Sequence, residues 1–461
     1  MLPMTPRWRG EPDTTGTVAV VGMGKIGLPL AAQYAAAGWR VIGVDVLPEV
    51  VESLDQGRAH IDEEPGLAER ISEAHAAGRF SATLSHAEAA RAADVIVMIV
   101  PLMLSDEQEP DYRHLDSATA AVGAGLQPGT LVVYETTLPV GDTRVRYGAA
   151  LERSSGLEMG DPDRGFLLAF SPERVYSGRV FQDLATYPKL VGGVDPGSGE
   201  RAAAFYGSVL PAEVWLLGTA ETAEFAKLAE TTYRDVNIAL ANEFARYAER
   251  AGVDVLEAIR GANSQPFSHI HQPGIGVGGH CIPVYPHFLI QRAPELQLPA
   301  VARRVNDGQV GLAVQALQRE LGSLEGVAVL VLGLTYREGV RELAYSRAIP
   351  LIERLRFHGA DIRAFDPLMD PEAVARLDAA PWTWGEESPV EAIVVQTADP
   401  TFQELDVAWF PRLRVLFDGR NRLTELPLRE GVRYVGVGRS SPAGGSERGS
   451  RIPVGGRTGR T

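Results

Sequence analysis

The chain has 461 residues, 45% hydrophobic and 22% charged, with a formal net charge of −15. That length exceeds one ordinary core and predicts two or three domains, while the charge disfavours a general nucleic-acid or anionic-membrane binder and no apolar run reaches the ~18–20 residues that span a bilayer. The N-terminus lacks the hydrophobic core of a signal peptide, and a single cysteine cannot form an internal disulfide, so a cytosolic, reducing compartment is expected.

Residues 1–15 are expected to be a flexible N-terminus. Thr17 to Asp45 then reads strand, tight turn, helix, strand: an apolar run at Val18–Val21, a glycine turn, an Ala-rich helix ending near Gly38, and "RVIGV" ending in Asp45. Further strand-like runs follow at 94–100, 130–136, 166–170 and 189–193. Strand–helix alternation predicts a doubly wound parallel sheet. The stretch 219–252 has alanine and leucine at helical spacing without proline and reads as one long helix or two in succession; another lies near 301–322. Alternation returns with "GVAVLVLGLTY", "ADIRAFDP", "EAIVVQTAD" and "RLRVLFDGRN", a second and smaller Rossmann-like domain. The Gly/Ser/Arg-rich tail from Arg439 is expected to be disordered.

Four motifs carry chemistry. Gly22-Met-Gly24-Lys-Ile-Gly27 follows a strand, opens a helix and has Asp45 at the end of the next strand, eighteen residues past Gly27. Gly22 lets the turn bend, Gly24 lets a pyrophosphate approach the backbone, and Gly27 lets helix and strand pack closely. Asp45 would accept hydrogen bonds from an adenosine ribose and repel a 2′-phosphate, which favours NAD over NADP. Cys281 is the only cysteine. It sits in "GIGVGGHCIPVYPHF", a Gly/Pro-rich loop rather than a periodic apolar face, beside His280. An isolated cysteine is usually a small buried hydrophobe. Beside a nicotinamide, a thiolate can instead capture an aldehyde and leave a thioester for water. Lys227 lies on the long middle helix among apolar neighbours; it is either a solvated charge or a stabiliser of an alkoxide. "SPERV" puts Glu173 and Arg174 directly after an apolar strand, and "YETTLPVG" puts Thr136 and Thr137 after another, where ligands meet doubly wound sheets.

Taken together, GxGxxG, "ETTLPVG", "SPERV", "KLAETTYRDVNIALANE", "GVGGHC" and "DGRN", in that order from about 16 to 438, resemble the UDP-glucose / UDP-N-acetylmannosamine dehydrogenase family, closest to its N-acetylmannosamine branch. The resemblance implies two Rossmann-like domains joined by a central helical dimerisation region. It implies NAD, a UDP-linked sugar substrate, a homodimer, no metal, no nucleic acid and no membrane. The implied reaction is a four-electron oxidation of a sugar C6 alcohol to a uronic acid. Cys281 is the implied nucleophile, with Lys227, Glu173 and Thr137 as its catalytic partners. Gly22, Gly24, Ile26, Gly27, Asp45, Pro101 and Thr137 are the implied cofactor contacts. Glu173, Arg174, Lys227, Thr231, Ile270, His271, Gly274, Gly278 and Arg337 are the implied substrate contacts.

The chain departs from the family pattern at several places. Thr231 stands for the family Asn, Tyr285 for its Asp, Arg337 for its Lys, Ala344 for its Arg and Leu102 for its Thr. Expected blocks are 16–215 for NAD, 216–322 for a central helical domain with the cysteine loop, and 323–438 for the nucleotide sugar, with 439–461 as the tail. The expected substrate is UDP-N-acetylmannosamine, with UDP-N-acetylglucosamine or UDP-glucose as alternatives. A single-step hydroxyacid-type dehydrogenase and a non-catalytic NAD- and nucleotide-sugar-binding protein are the readings that would do without the cysteine chemistry.

Overall fold

The computed structural model describes residues 8–11 and 15–439. The tail beyond Arg439 and most of the N-terminal segment lie outside these. The chain divides into two compact units. The first takes the described residues up to Ala239, with Val277–Asp307 and Thr335–Arg347. The second takes Leu240–Gly276, Gly308–Leu334 and the described residues from Ala348 on. The expected central block 216–322 is thus shared between them, and the chain passes between units several times rather than once at each border.

The first unit is built on eight strands. In spatial order they are Val214–Thr219, Lys189–Gly193, Leu167–Phe170, Leu131–Tyr134, Val95–Met98, Thr17–Val21, Arg40–Val44 and Phe80–Thr83. The order reverses between Thr17–Val21 and Val95–Met98, the switch point at which doubly wound sheets receive dinucleotides. The first strand is buried on both sides: Val18 and Val20 enter one apolar cluster, Ala19 and Val21 another. The first cluster holds Trp8, Tyr34, Trp39 and Phe205; the second holds Tyr134, Tyr147, Phe166 and Phe288.

One expectation needs correction. The sheet is not wholly parallel, because Lys189–Gly193 runs antiparallel to Leu167–Phe170. The chain between them therefore stays at the carboxyl end of the sheet instead of crossing over its face. Residues 171–188, including Glu173, lie there, and Lys189 begins its strand at the same end.

The stretch 219–252 is a single helix, Ala220–Ala251, and a second long helix covers Gln297–Leu321. The second unit holds an all-parallel sheet in the order Ala380–Pro381, Asp361–Phe365, Ala328–Leu332, Ala392–Val395, Val415–Asp418, Arg433–Gly436. Its core includes Leu330, Leu332, Trp382, Phe402 and Phe410.

Trp8 lies within the segment expected to be flexible. It is 5% exposed, and its ring meets Trp39 edge-on at 4.9 Å. Its backbone N–H donates to Asp94 Oδ1 at 3.3 Å. Trp8→Ala should cost about 3–5 kcal/mol of stability, seen as a lower denaturant midpoint for the first unit.

Candidate active site

The glycine turn assigns a different task to each glycine. Gly22 has φ +103°, open to glycine and strained for other residues. A Cβ on Gly24 would meet no atom within 4 Å, so its backbone faces open space. A Cβ on Gly27 would lie 1.8 Å from Gly22 O, so only glycine permits this packing. The Gly27–Ala36 helix starts here with its first N–H groups free of side-chain caps. Ile26 packs against the core, leaving its backbone to the turn. Asp45 Oδ2 accepts from Met23 N at 2.9 Å and Oδ1 from Leu47 N at 3.0 Å, and each oxygen keeps a lone pair for a ribose hydroxyl. His60 and His86 lie near Asp45, and burial holds both rings below the usual imidazole range. These residues fit NAD.

At the carboxyl ends of the neighbouring strands stands a buried ionic cluster. Glu135, directly after Leu131–Tyr134, is 1% exposed. It accepts from Tyr206 at 2.6 Å, Tyr34 at 3.1 Å and Lys189 Nζ at 2.8 Å. Lys189 Nζ also donates to Glu173 Oε2 at 2.8 Å. Burial pushes the Glu135 carboxyl up to about 7, against the pull of Lys189. Burial acts the same way on Glu173, but there Lys189 and the backbone N–H of Arg174 win and hold it below its ordinary value. Between two carboxylates, Lys189 is raised despite its own burial. Glu173 is thus turned inward, and it meets Lys227 through its backbone: Lys227 Nζ donates to Glu173 O at 2.7 Å.

Other expected residues are also committed. Thr231 Oγ1 donates back to Lys227 O at 2.9 Å, inside its own helix. Arg174 pairs with Glu230 at 2.8 Å. Thr136 Oγ1 donates to Val100 O at 2.7 Å, tying down the loop that leads to exposed Pro101. Arg337 donates to Ser177 O at 3.2 Å and lies over the Tyr176 ring at 5.4 Å, with its Nε buried and unpartnered. Arg179 and Arg234 stand over the same ring at 5.9 and 5.8 Å.

Cys281 is exposed. Its loop is anchored by Val284, Phe288 and Leu289, which bury in the second core cluster. The glycines before it pack against the chain itself. A Cβ on Gly278 would lie 2.8 Å from Tyr345 O, and one on Gly279 would lie 2.8 Å from the Tyr336 ring. Gly279 N donates to Ala344 O at 3.2 Å. Close approach at 278–279 is therefore taken up by residues 336–345. Glu342, on that segment, lies 3.7 Å from His280 Nε2 and 3.2 Å from Lys25 Nζ of the glycine turn. His280 and Lys25 hold the Glu342 carboxyl down to about 2. Tyr285 N donates to Cys281 O at 2.9 Å, and its ring lies 5.6 Å from that of Phe288.

Ile270, His271 and Gly274 belong to the second unit. Asn263 clamps Ile270 through both its N–H and its C=O at 2.9 Å. Gly274 N donates to Asn242 Oδ1 at 2.9 Å, and a Cβ on Gly274 would lie 2.9 Å from Arg420 Nη1.

Residues 16–210, 221–307 and 330–425 match, in turn, the NAD binding, central and UDP binding domains of the UDP-glucose/GDP-mannose dehydrogenase family. The UDP-N-acetyl-D-mannosamine dehydrogenase of Pyrococcus horikoshii is 35% identical over 432 residues, covering 92% of this chain and 99% of that one. The chain belongs to the UDP-glucose/GDP-mannose dehydrogenase family. As a member it is an NAD-dependent nucleotide-sugar oxidoreductase. The solved structure of the Pyrococcus protein superposes with a TM-score of 0.82. That of a UDP-glucose dehydrogenase from Pyrobaculum islandicum also gives 0.82, at 29% identity, covering 93% of this chain and 99% of that one. An NDP-N-acetyl-D-galactosaminuronic acid dehydrogenase from Ralstonia nicotianae is 35% identical over 350 residues, covering 74% of this chain and 80% of that one. No described helix is long and apolar enough to cross a membrane.

Sequence reading of this dehydrogenase overlooked Glu135, Lys189 and Glu342 as parts of the site. A signal existed for the first two: a charge directly after one buried strand and a lysine opening another.

Two predictions follow from this geometry. Gly24→Ala should keep the stability of the apo-protein but weaken NAD binding at least tenfold by calorimetry, whereas Gly27→Ala should lower thermal stability itself. Lys189→Met leaves two buried carboxyls facing each other and should cost about 3–5 kcal/mol at neutral pH. Without the cation both carboxyls titrate above their ordinary range, so their stabilising protonated forms are complete at low pH and lost as pH rises. The deficit in denaturant midpoint should be larger at pH 8 than at pH 5.

Proposed function

We propose that this dehydrogenase oxidises the C6 alcohol of UDP-N-acetyl-D-mannosamine to the uronic acid in two steps through a thioester on Cys281. The observation that carries the reading is an exposed thiol, the only one in the chain, in the same compact unit as the dinucleotide turn. NAD, when bound, accepts the hydride in each oxidation, two molecules per sugar. Lys227, 6% exposed, presents its ammonium beside the Glu173 carbonyl, where it can stabilise the C6 alkoxide. The first hydride leaves C6 as the hydroxyl proton is released, giving an aldehyde. Cys281 sulfur adds to the aldehyde carbon. Loss of the second hydride leaves a thioester; water adds, the carbon–sulfur bond breaks and the carboxylate departs.

Arg179, Arg234 and Arg337 around Tyr176 gather positive charge in a chain of net −15, which suits a diphosphate. The sugar is assigned from the Pyrococcus relative. A homodimer is supported by an exposed apolar face on the Ala220–Ala251 helix. Phe225 and Tyr233 in the first unit, and Leu240, Phe244 and Tyr247 in the second, recur at spacings that return to one side of a helix. A lone free thiol fits the cytosol.

The test is the NADH yield per sugar over a panel of UDP- and GDP-sugars. Two NADH with UDP-N-acetylmannosamine and no uronate from Cys281→Ser are expected. One NADH with free aldehyde, or uronate from Cys281→Ser at the normal rate, would overturn the thioester route; two NADH with another sugar alone would overturn the substrate.

A further inference from the structure

We propose that Glu342 is shared between the dinucleotide turn and the cysteine loop: it holds Lys25 while His280 is neutral and gives Lys25 up to a dinucleotide pyrophosphate once His280 is protonated, so that affinity for the dinucleotide rises as pH falls. This takes the turn from Gly22 to Gly27 as the pyrophosphate site and does not depend on the thioester route.

The geometry comes down to one oxygen. Glu342 Oε1 accepts from Ala344 N at 3.1 Å and is committed to its own segment. Glu342 Oε2 faces two groups, Lys25 Nζ at 3.2 Å and His280 Nε2 at 3.7 Å. The segment that carries Glu342 is fixed against the loop that carries His280. Gly279 N donates to Ala344 O at 3.2 Å, and Gly278 packs under Tyr345 O. Tyr345, at φ +52°, holds the left-handed conformation that bulky residues rarely adopt, and its ring meets His280 edge-on at 6.4 Å. With both backbones fixed, Lys25 and His280 contend for the same Oε2.

Lys25 is the movable partner. Its side chain is 36% exposed, and its other contacts, Glu63 Oε1 and Arg341 O, are both long at 3.4 Å. It stands in the turn where the Gly24 backbone faces open space and the Gly27–Ala36 helix begins, a place that favours negative charge. A pyrophosphate arriving there draws the ammonium by charge-assisted hydrogen bonds, and Glu342 draws it back.

The sign follows from charge. His280 and Lys25 hold the Glu342 carboxyl down to about 2, so it stays ionised. A neutral His280 brings no charge to Oε2, and Lys25 remains held. A protonated His280 satisfies the carboxylate and frees Lys25. By reciprocity, the bound dinucleotide strengthens proton binding at His280 by the same factor. The groups around the half-exposed His280 are Glu342, Lys25 and Tyr345, with Tyr336 against Gly279 and Cys281 next in the chain.

The test is calorimetry of the full chain with ADP-ribose, which has the pyrophosphate, no nicotinamide and no phosphate proton that titrates near neutrality. Binding should be about fivefold tighter at pH 5.5 than at pH 8, the interval in which imidazole changes charge, and should take up protons. Glu342→Gln keeps an oxygen for Ala344 N and loses only the charge. It should bind at pH 8 as tightly as the parent does at pH 5.5, with no dependence on pH. His280→Asn should bind at both pH values as the parent does at pH 8, and it decides alone if Glu342→Gln does not fold. A parent affinity that stays flat with pH overturns the proposal. So does a pH dependence that survives in His280→Asn, because it then belongs to another imidazole such as His60 or His86. Unchanged ADP-ribose binding by Gly24→Ala would instead sink the turn as the pyrophosphate site.

Discussion

The buried ammonium of Lys189 is the constraint around which the site is arranged. It neutralises two carboxylates that would otherwise repel each other in a region of low dielectric, and Tyr34 and Tyr206 satisfy the lone pairs left over. Its position depends on the antiparallel return of Lys189–Gly193 beside Leu167–Phe170. That return brings three separate stretches of chain to one end of the sheet: the residues after Tyr134, the residues after Phe170, and Lys189 itself. Lys227 is then fixed by the Glu173 carbonyl, so its position depends on the same cluster at one remove.

The cysteine loop is held differently. Glycines 278 and 279 allow the loop to lie against Tyr336 and Tyr345, and Glu342 of that segment reaches both His280 and Lys25. One carboxylate therefore joins the dinucleotide turn to the residue beside the thiol. The glycines of this loop serve packing, and the loop leaves the Cys281 sulfur exposed.

Much of this could be read from residue order. The strand–turn–helix start, the acid at Asp45 and the buried strands announce themselves through periodicity and local turn chemistry, and both long helices appear near their expected limits. The glycine turn was legible because its three tasks are local in sequence. What escaped depends on contacts between distant residues. Nothing in "KLVGG" says that its strand runs backwards, or that its lysine faces Glu135 fifty-four residues earlier. Trp8 looks like part of a loose end until Trp39 and Phe205 are placed around it. The inward turn of the Glu173 carboxyl could not be read from "SPERV", because an acid after a strand end can face either solvent or core.

The interleaving of the two units has a consequence for how the protein is made. Residues 336–345, against which the cysteine loop packs, follow residues 308–334, which already belong to the second unit. Synthesis proceeds from the N-terminus and domains fold as units as they emerge. A nascent chain that has just delivered its second long helix still lacks the surface that shapes its cysteine loop, and the Glu342 partner of Lys25 in the dinucleotide turn. The cysteine loop thus gains its packing surface late, after the second sheet has received its first strand. A chain cut short before Tyr336 would lack the surface against which Gly278 and Gly279 of its cysteine loop pack.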